Sequence, residues 1–180
     1  MSPIAARTSP DKQLERAKVE GWGYTGDMAT EVEVLELLHS LVRVTKPDLC
    51  VETGTYTGFG TQAIASALEK NEKGRLITIE FEENTYPALP RTTFIKGDSV
   101  QWSKEHCPED VDWAFVDCGT PEIRVQAFRN IFVNMADNGL ILVHDTWFHE
   151  DGFRDALADA AGRDPDFEFS ALNGIAAWQT

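Results

Sequence analysis

Apolar residues along this chain follow two alternating rhythms. Near-continuous apolar runs near 49–52, 76–80, 93–96, 112–116 and 139–144 predict buried strands. Helical stretches near 60–70, 99–106 and 121–135 separate them, and over Thr30 to Val44 the residues Val34, Leu37, Leu38 and Leu41 recur at helical spacing. Pro47-Asp48 ends that helix and starts the first strand. Strand and helix in alternation predict an α/β chain with a parallel sheet covered on both faces. The end of the chain changes in kind. Gly152 to Ala161 reads as a helix, and then Phe167–Leu172 and Ile175–Gln179 flank Asn173-Gly174, the turn dipeptide of a β-hairpin. At the other end, Met1 to Asp11 reads as a loose tail, Pro10 to Glu20 as a helix and Gly21 to Gly26 as a glycine–aromatic loop. About a dozen residues, Pro87 and Pro90 among them, separate Glu80 from the strand at Thr93, so that crossover predicts a helical turn or two at most.

A chain of 180 residues suits one domain with a real core. Its net charge of −14 repels a phosphate backbone, and no Lys/Arg cluster with interleaved aromatics offsets it, so nucleic acid is not an expected partner. No apolar run is long enough to span a bilayer, and the N-terminus lacks the basic-then-apolar pattern of a signal peptide. Cys50, Cys107 and Cys118 lie far apart without a C-x-x-C pair, which fits a reducing cytoplasm and neither a disulfide framework nor a zinc site. The expected partner is a small molecule, with no membrane. The oligomeric state stays open, a homodimer included.

The chemistry concentrates in Val51-Glu-Thr-Gly-Thr-Tyr-Thr-Gly-Phe-Gly60. A strand ends in a carboxylate, Glu52, and a turn carrying Gly54, Gly58 and Gly60 feeds a helix, where the first helical N–H groups are unpaired. The spacing G-x-x-x-G-x-G departs from the G-x-G-x-x-G that seats a pyrophosphate. With an acid two residues before the first glycine, the turn suits a ligand bearing a cationic amino acid and no phosphate. S-adenosyl-L-methionine (SAM) is such a ligand. Further acids, Glu80, Asp98, Asp117 and Asp145, also fall at strand ends, where open α/β sheets bind ligands. Asp98-Ser99 doubles as a helix start signal.

The segment resembles motif I of class I SAM-dependent methyltransferases, in wording close to the catechol O-methyltransferase-like branch. The resemblance continues through Gly74-Arg-Leu-Ile-Thr-Ile-Glu80, Gly97-Asp98-Ser99, Phe115-Val-Asp117 and Leu142-Val-His-Asp145, and covers residues 25–180, after a tail and helix at 1–24. It implies a Rossmann-like fold: a mostly parallel seven-stranded sheet, helices on both faces, and a C-terminal antiparallel hairpin. The implied activity is transfer of a methyl group from SAM to a hydroxyl of a small molecule such as a phenol, a sugar or a secondary metabolite. Glu52 and Gly54 would hold the methionine part, Tyr56, Gly58 and Phe59 the turn beside it, Glu80 the ribose hydroxyls with Phe81 next to it, and Asp98 and Ser99 the adenine. Asp117 would close the cofactor site.

Asp117, His144 and Asp145 are the candidate catalytic residues. In the catechol-type branch these strand ends hold a divalent cation through two acids and an amide, and the cation lowers the pKa of the acceptor hydroxyl. Here Thr146 stands at the amide position and Thr120 where the branch carries a lysine base. Three readings therefore remain open. Asp117 and Asp145, with or without His144, hold Mg²⁺ or a similar hard ion. Alternatively His144, with His149 in reserve, takes the substrate proton. In the third, orientation alone suffices. Trp22, Tyr24, Trp147 and Phe148 lie in loops expected to shape the acceptor pocket. An NAD(P)-linked oxidoreductase and a non-catalytic SAM-binding module are the rival functions.

Overall fold

A computed structural model describes residues 15, 30–83, 88–147, 152–169 and 173–180. Apart from Glu15, which is helical, the expected helix at 10–20 lies outside the described residues, as do the loop at 21–26 with Trp22 and Tyr24, and Pro87, Phe148 and His149. Helix α1 (Val32–Thr45) buries Val34, Leu35, Leu38 and Val42 along one face and stops at Lys46, which takes a left-handed turn just before Pro47. Strand β1 (Leu49–Thr53) follows, then α2 (Phe59–Asn71), β2 (Arg75–Glu80), β3 (Thr92–Lys96), α3 (Ser99–His106), β4 (Val111–Val116), α4 (Pro121–Phe132), β5 (Met135–His144), α5 (Phe153–Ala161), β6 (Phe167–Phe169) and β7 (Ile175–Gln179). Between Glu80 and Thr92 the described residues form no helix, as the prolines there predict.

The seven strands form one sheet in the order β3-β2-β1-β4-β5-β7-β6. All neighbours are parallel as far as β5, and β7 runs antiparallel to both β5 and β6. The strand order reverses between β1 and β4, which opens a crevice beyond their carboxyl ends. Side chains alternate across the sheet. Leu49, Val51, Ala114 and Val116 pack with Phe128, Ile131 and Leu157 of α4 and α5. Cys50, Trp113 and Phe115 pack on the other face with Leu38, Val42, Ile64 and Leu68 of α1 and α2. This alternation sends Glu52 toward the α1/α2 face, into the core's edge. Cys50, Cys107 and Cys118 are free thiols, as their spacing implied.

Three boundaries differ from the periodicity, the first at β6. Expected to reach Leu172, it spans Phe167–Phe169 and pairs Phe169 with Ile175, so Asn173-Gly174 ends a longer connection and is not a two-residue turn. The helix expected to reach 135 ends at Phe132, and β5 begins at Met135 instead of 139. The cause is a break in the β4–β5 register, where Val111 pairs with Met135 but Trp113 with Leu140. The polar residues Asp137 and Asn138 fall in this exposed stretch, where an apolar pattern has no reason to persist. No described helix is long and apolar enough to cross a membrane.

Candidate active site

The carboxyl ends of β1 and β4 meet at Gly54. Its N–H donates to the Ile79 carbonyl at 2.9 Å, and the Asp117 N–H donates to the Thr53 carbonyl at 2.9 Å. At φ +88° a side chain would be strained, and a Cβ would lie 2.2 Å from the Asp117 carbonyl oxygen. Glycine is therefore demanded by the neighbouring backbone. Beside this junction opens a cleft of about 600 Å³, within the range of small-molecule sites. Glu52, Gly54, Tyr56, Phe59, Glu80, Phe81, Asp98, Ser99, Asp117, His144 and Asp145 all line it. Among the described candidates, Gly58 is the one off its wall. It serves the turn instead, capping α2 at φ 80° without a side-chain bond, so the first N–H groups of α2 keep no capping partner.

On the β1–β3 side the carboxylates meet neutral donors. Glu52 is 1 % exposed, and its Oε2 accepts from the hydroxyls of Thr61 and Thr78, the latter at 2.6 Å. A Cβ on Gly60 would stand 2.7 Å from Oε1, which is why the third glycine of the turn is needed. Burial pushes the Glu52 pKa up to about 7, and the charges of Asp117 and Glu80 add to this against the two hydroxyl bonds. Glu80 accepts the Tyr56 N–H at Oε2 (2.7 Å) and the Phe81 N–H at Oε1 (2.8 Å), so it ties the motif turn to the end of β2. Tyr56 holds a left-handed φ of 43°, and both Tyr56 and Phe81 expose their rings at the rim. Phe59 instead packs inward against Val32, Leu35 and Ala63. Asp98 caps α3, accepting from the Gln101 N–H at 2.8 Å, and Ser99 is buried in the first turn.

On the β4–β5 side the carboxylates meet cations. Arg124, 7 % exposed, spans both acids: Nη1 lies 2.8 Å from Asp145 Oδ2 and Nη2 3.1 Å from Asp117 Oδ1. Its Nε–H donates to the Cys118 carbonyl and Nη1–H to the His144 carbonyl, each at 3.2 Å. The His144 ring, 1 % exposed, sits between carboxylates, with Nδ1 3.1 Å from Asp117 Oδ2 and Nε2 3.1 Å from Glu31 Oε2. Burial opposes a charged ring. Asp117, Glu31 and Asp145 outweigh it and push the His144 pKa up to about 10. Burial likewise works against an ionised Asp145, but His144, Arg124 and a hydrogen bond from the Asn173 side chain hold its pKa below the usual carboxylate range. Asp145 carries a φ of 59°, a second strained non-glycine residue on the cleft wall.

Three of these residues escaped the sequence reading: Arg124, Glu31 and Asn173. Arg124 left a signal, since it occupies the buried stripe of α4 with Ala127, Phe128 and Ile131, where a cation needs a partner. Glu31 precedes α1 in the position of a cap yet makes no side-chain cap bond there. Asn173 belongs to the predicted hairpin turn, and Gly174 brings that turn against Trp147 and Thr146. Thr120, at the lysine position, donates its hydroxyl to Glu122.

The ligand atoms of Asp117, His144 and Asp145 lie within 4.8 Å of one another, a spacing a metal ion could bridge. Both oxygens of Asp117 already face internal cations, as do both of Asp145, with Asp145 Oδ1 3.5 Å from His144 Nδ1. The imidazole has a carboxylate on each nitrogen. The donor set as arranged does not fit a divalent ion.

The sequence matches a family model described as a methyltransferase domain over residues 51–146. Tapetum-specific methyltransferase 1 of Arabidopsis thaliana is 23% identical over 191 residues, spanning 90% of this chain and 81% of that protein. Among solved structures, the O-methyltransferase TomG of Streptomyces achromogenes in complex with SAM superposes with a TM-score of 0.65 at 18% identity, covering 98% of this chain and 92% of that one. The SAH-bound methyltransferase PaMTH1 of Podospora anserina gives 0.64 at 16% identity, covering 95% and 88%. At such identities the structural likeness establishes the fold.

Proposed function

This chain belongs to the methyltransferase domain family, and we propose that it transfers the methyl group of SAM to a hydroxyl of a small molecule such as a phenol, a sugar or a secondary metabolite. The carrying observation is that Glu52 and Glu80, on adjacent strands paired Glu52 to Thr78, line the same cleft as Asp117 and Asp145 at the point where strand order reverses. Residues 25–180 form the methyltransferase unit, residues 1–24 precede it, and the cytoplasm is its place of action. The SAM- and SAH-bound relatives support the choice of cofactor, and TomG supports oxygen as the acceptor atom.

The residues fit that cofactor. Glu80 Oε2 accepts one backbone bond and keeps a lone pair for a ribose hydroxyl, while Oε1 accepts from Phe81 and, at 3.5 Å, from Glu82. The uncapped N–H groups of α2 and the backbone at Gly54 suit the methionine carboxylate. Glu52 takes the ammonium side, where an arriving cation favours its ionised form. Ser99 and Asp98 face the adenine, and the exposed rings of Tyr56 and Phe81 cover it. Bound in this cleft, SAM supplies a sulfonium methyl, an already activated donor.

Asp117 and Asp145 orient the acceptor hydroxyl and hold its proton at a carboxylate oxygen. His144, flanked by Asp117 and Glu31, acts as an imidazolium that fixes Asp117, and its protonation leaves it no lone pair for the substrate proton. The rate gain then comes chiefly from orientation, for which effective molarities reach about 10⁵ M or more.

Calorimetric titration of the full chain with SAM, SAH and NADH tests the cofactor, and labelled SAM with catechols, sugars and amines tests transfer. Saturable SAM and SAH binding with label on a hydroxyl is expected. NADH binding without SAM binding would make the chain an oxidoreductase, and SAM binding without transfer to any acceptor would leave a binding module.

A further inference from the structure

The geometry points to Arg124 as a built-in substitute for the divalent cation, so that the Asp117–Asp145 pair works without metal. The inference rests on the reading of this cleft as a methyl-transfer site. Arg124 approaches one oxygen of each acid, at 3.1 and 2.8 Å, in the bridging position a cation would take. Its fork is fixed by the Cys118 and His144 carbonyls, so the guanidinium is held by four groups drawn from the ends of β4 and β5. Its stem lies on the buried stripe of α4 with Ala127, Phe128 and Ile131. Leaving the acids for an ion would break all four of these contacts at once.

The remaining oxygens are also taken. Asp117 Oδ2 faces His144 Nδ1, and the far ring nitrogen is spent on Glu31. A hard divalent ion wants six or more oxygen ligands at about 2.0–2.6 Å, a shell these committed groups do not supply. Arg124 thus places a positive group between the two acids where the metal-dependent branch implied by the sequence places an ion, with the His144 ring against Asp117 Oδ2. An acceptor oxygen beside Asp117 and Asp145 meets a pair of acids already compensated, and binding it draws no ion from solution.

Mn²⁺ alone is the probe. Titrated into the full-length chain with SAH present and followed by electron paramagnetic resonance, it should remain in the free-ion spectrum, with a Kd weaker than about 1 mM. Arg124→Ala should then bind Mn²⁺ at least tenfold more tightly, and Arg124→Ala with Asp145→Asn should lose that gain. A mere structural role for Arg124 would produce no gain. Stoichiometric Mn²⁺ binding by the unaltered chain, abolished in Asp145→Asn, would overturn the proposal. That pair decides the matter even if Arg124→Ala does not fold. SAH binding measured on the same samples is judged separately. Its absence would sink the cofactor assignment, while the Mn²⁺ result would still decide what fills the acid pair.

Discussion

Around Glu52 and Glu80, at the ends of β1 and β2, the carboxylates are held by neutral groups: the hydroxyls of Thr61 and Thr78 and the backbone N–H groups of Tyr56 and Phe81. Around Asp117 and Asp145, at the ends of β4 and β5, they are held by a guanidinium and an imidazole. The residue type is the same and the crevice is shared. Neutral donors fix a carboxylate without cancelling its charge, so the first pair stays able to receive a cation or hydroxyls. Cationic partners fix and compensate at once, so the second pair is set up to orient an acceptor. One half is held by neutral donors and waits for a cation; the other is already paired.

The junction of the halves gives the largest expected effect. Gly54→Ala drives a Cβ into the Asp117 carbonyl at a left-handed backbone, so the loss of stability should reach about 4 kcal/mol or more in urea unfolding. A loss under about 1 kcal/mol would mean that the two strand ends are not locked together. Next comes the paired half. Arg124→Ala leaves two buried acids without their shared partner, a change of about 3–5 kcal/mol and a Tm drop of about 10 °C. Arg124→Lys should recover only part of it, because a lysine cannot reproduce the fork.

The waiting half should respond in affinity more than in stability. Glu80→Gln keeps the shape and one acceptor but removes the charge, and it should weaken SAM binding about tenfold to a hundredfold, by calorimetry, with little change in Tm. An equal loss in Arg124→Ala and Glu80→Gln would erase the distinction between the halves.

Legibility in the sequence follows the same division. The motif turn, the strand-end acids and the Asn173-Gly174 hairpin are local patterns, and each needs only a few consecutive residues to be recognised. The parallel sheet followed from alternation and the closing antiparallel strands from the turn dipeptide, while the strand order came only with the structure. What pairs with the acids was not legible, because Glu31 reaches His144 across 113 positions and Arg124 reaches Asp145 across 21. From the sequence His144 stood open as a metal ligand, a base or neither. Only the packing of α1 against the sheet places a second carboxylate on its far nitrogen. The early start of β5 was hidden for a different reason: its first residues are exposed and polar, so hydrophobic patterning carries no record of them.

The smallest expected effect sharpens the comparison through pH. Glu52 has its pKa raised from 4.5 to about 7, so its protonated form is the one the fold favours. The cost of ionising it is absent below about pH 4.5 and reaches its full size above about pH 7, where it is of order 3 kcal/mol. Glu52→Gln removes that cost, and its amide oxygen can keep the Thr61 and Thr78 bonds, but the N–H₂ is then buried beside Gly60. The net gain should be about 1 kcal/mol, a Tm rise of about 3 °C at pH 8; near pH 4.5, where the ionisation cost is absent and the amide penalty remains, it should turn into a loss of about 2 kcal/mol. SAM binding should weaken at both pH values, since the ammonium loses its counter-charge. His144 contributes in the same sense over a higher window: its pKa is raised from 6.5 to about 10, so its stabilisation is full below 6.5 and fades as pH climbs through 10. That alkaline loss should survive in Glu52→Gln and disappear in His144→Phe. A Tm that rises in Glu52→Gln equally at both pH values would show that Glu52 is not the buried, charge-starved carboxyl that its 1 % exposure implies.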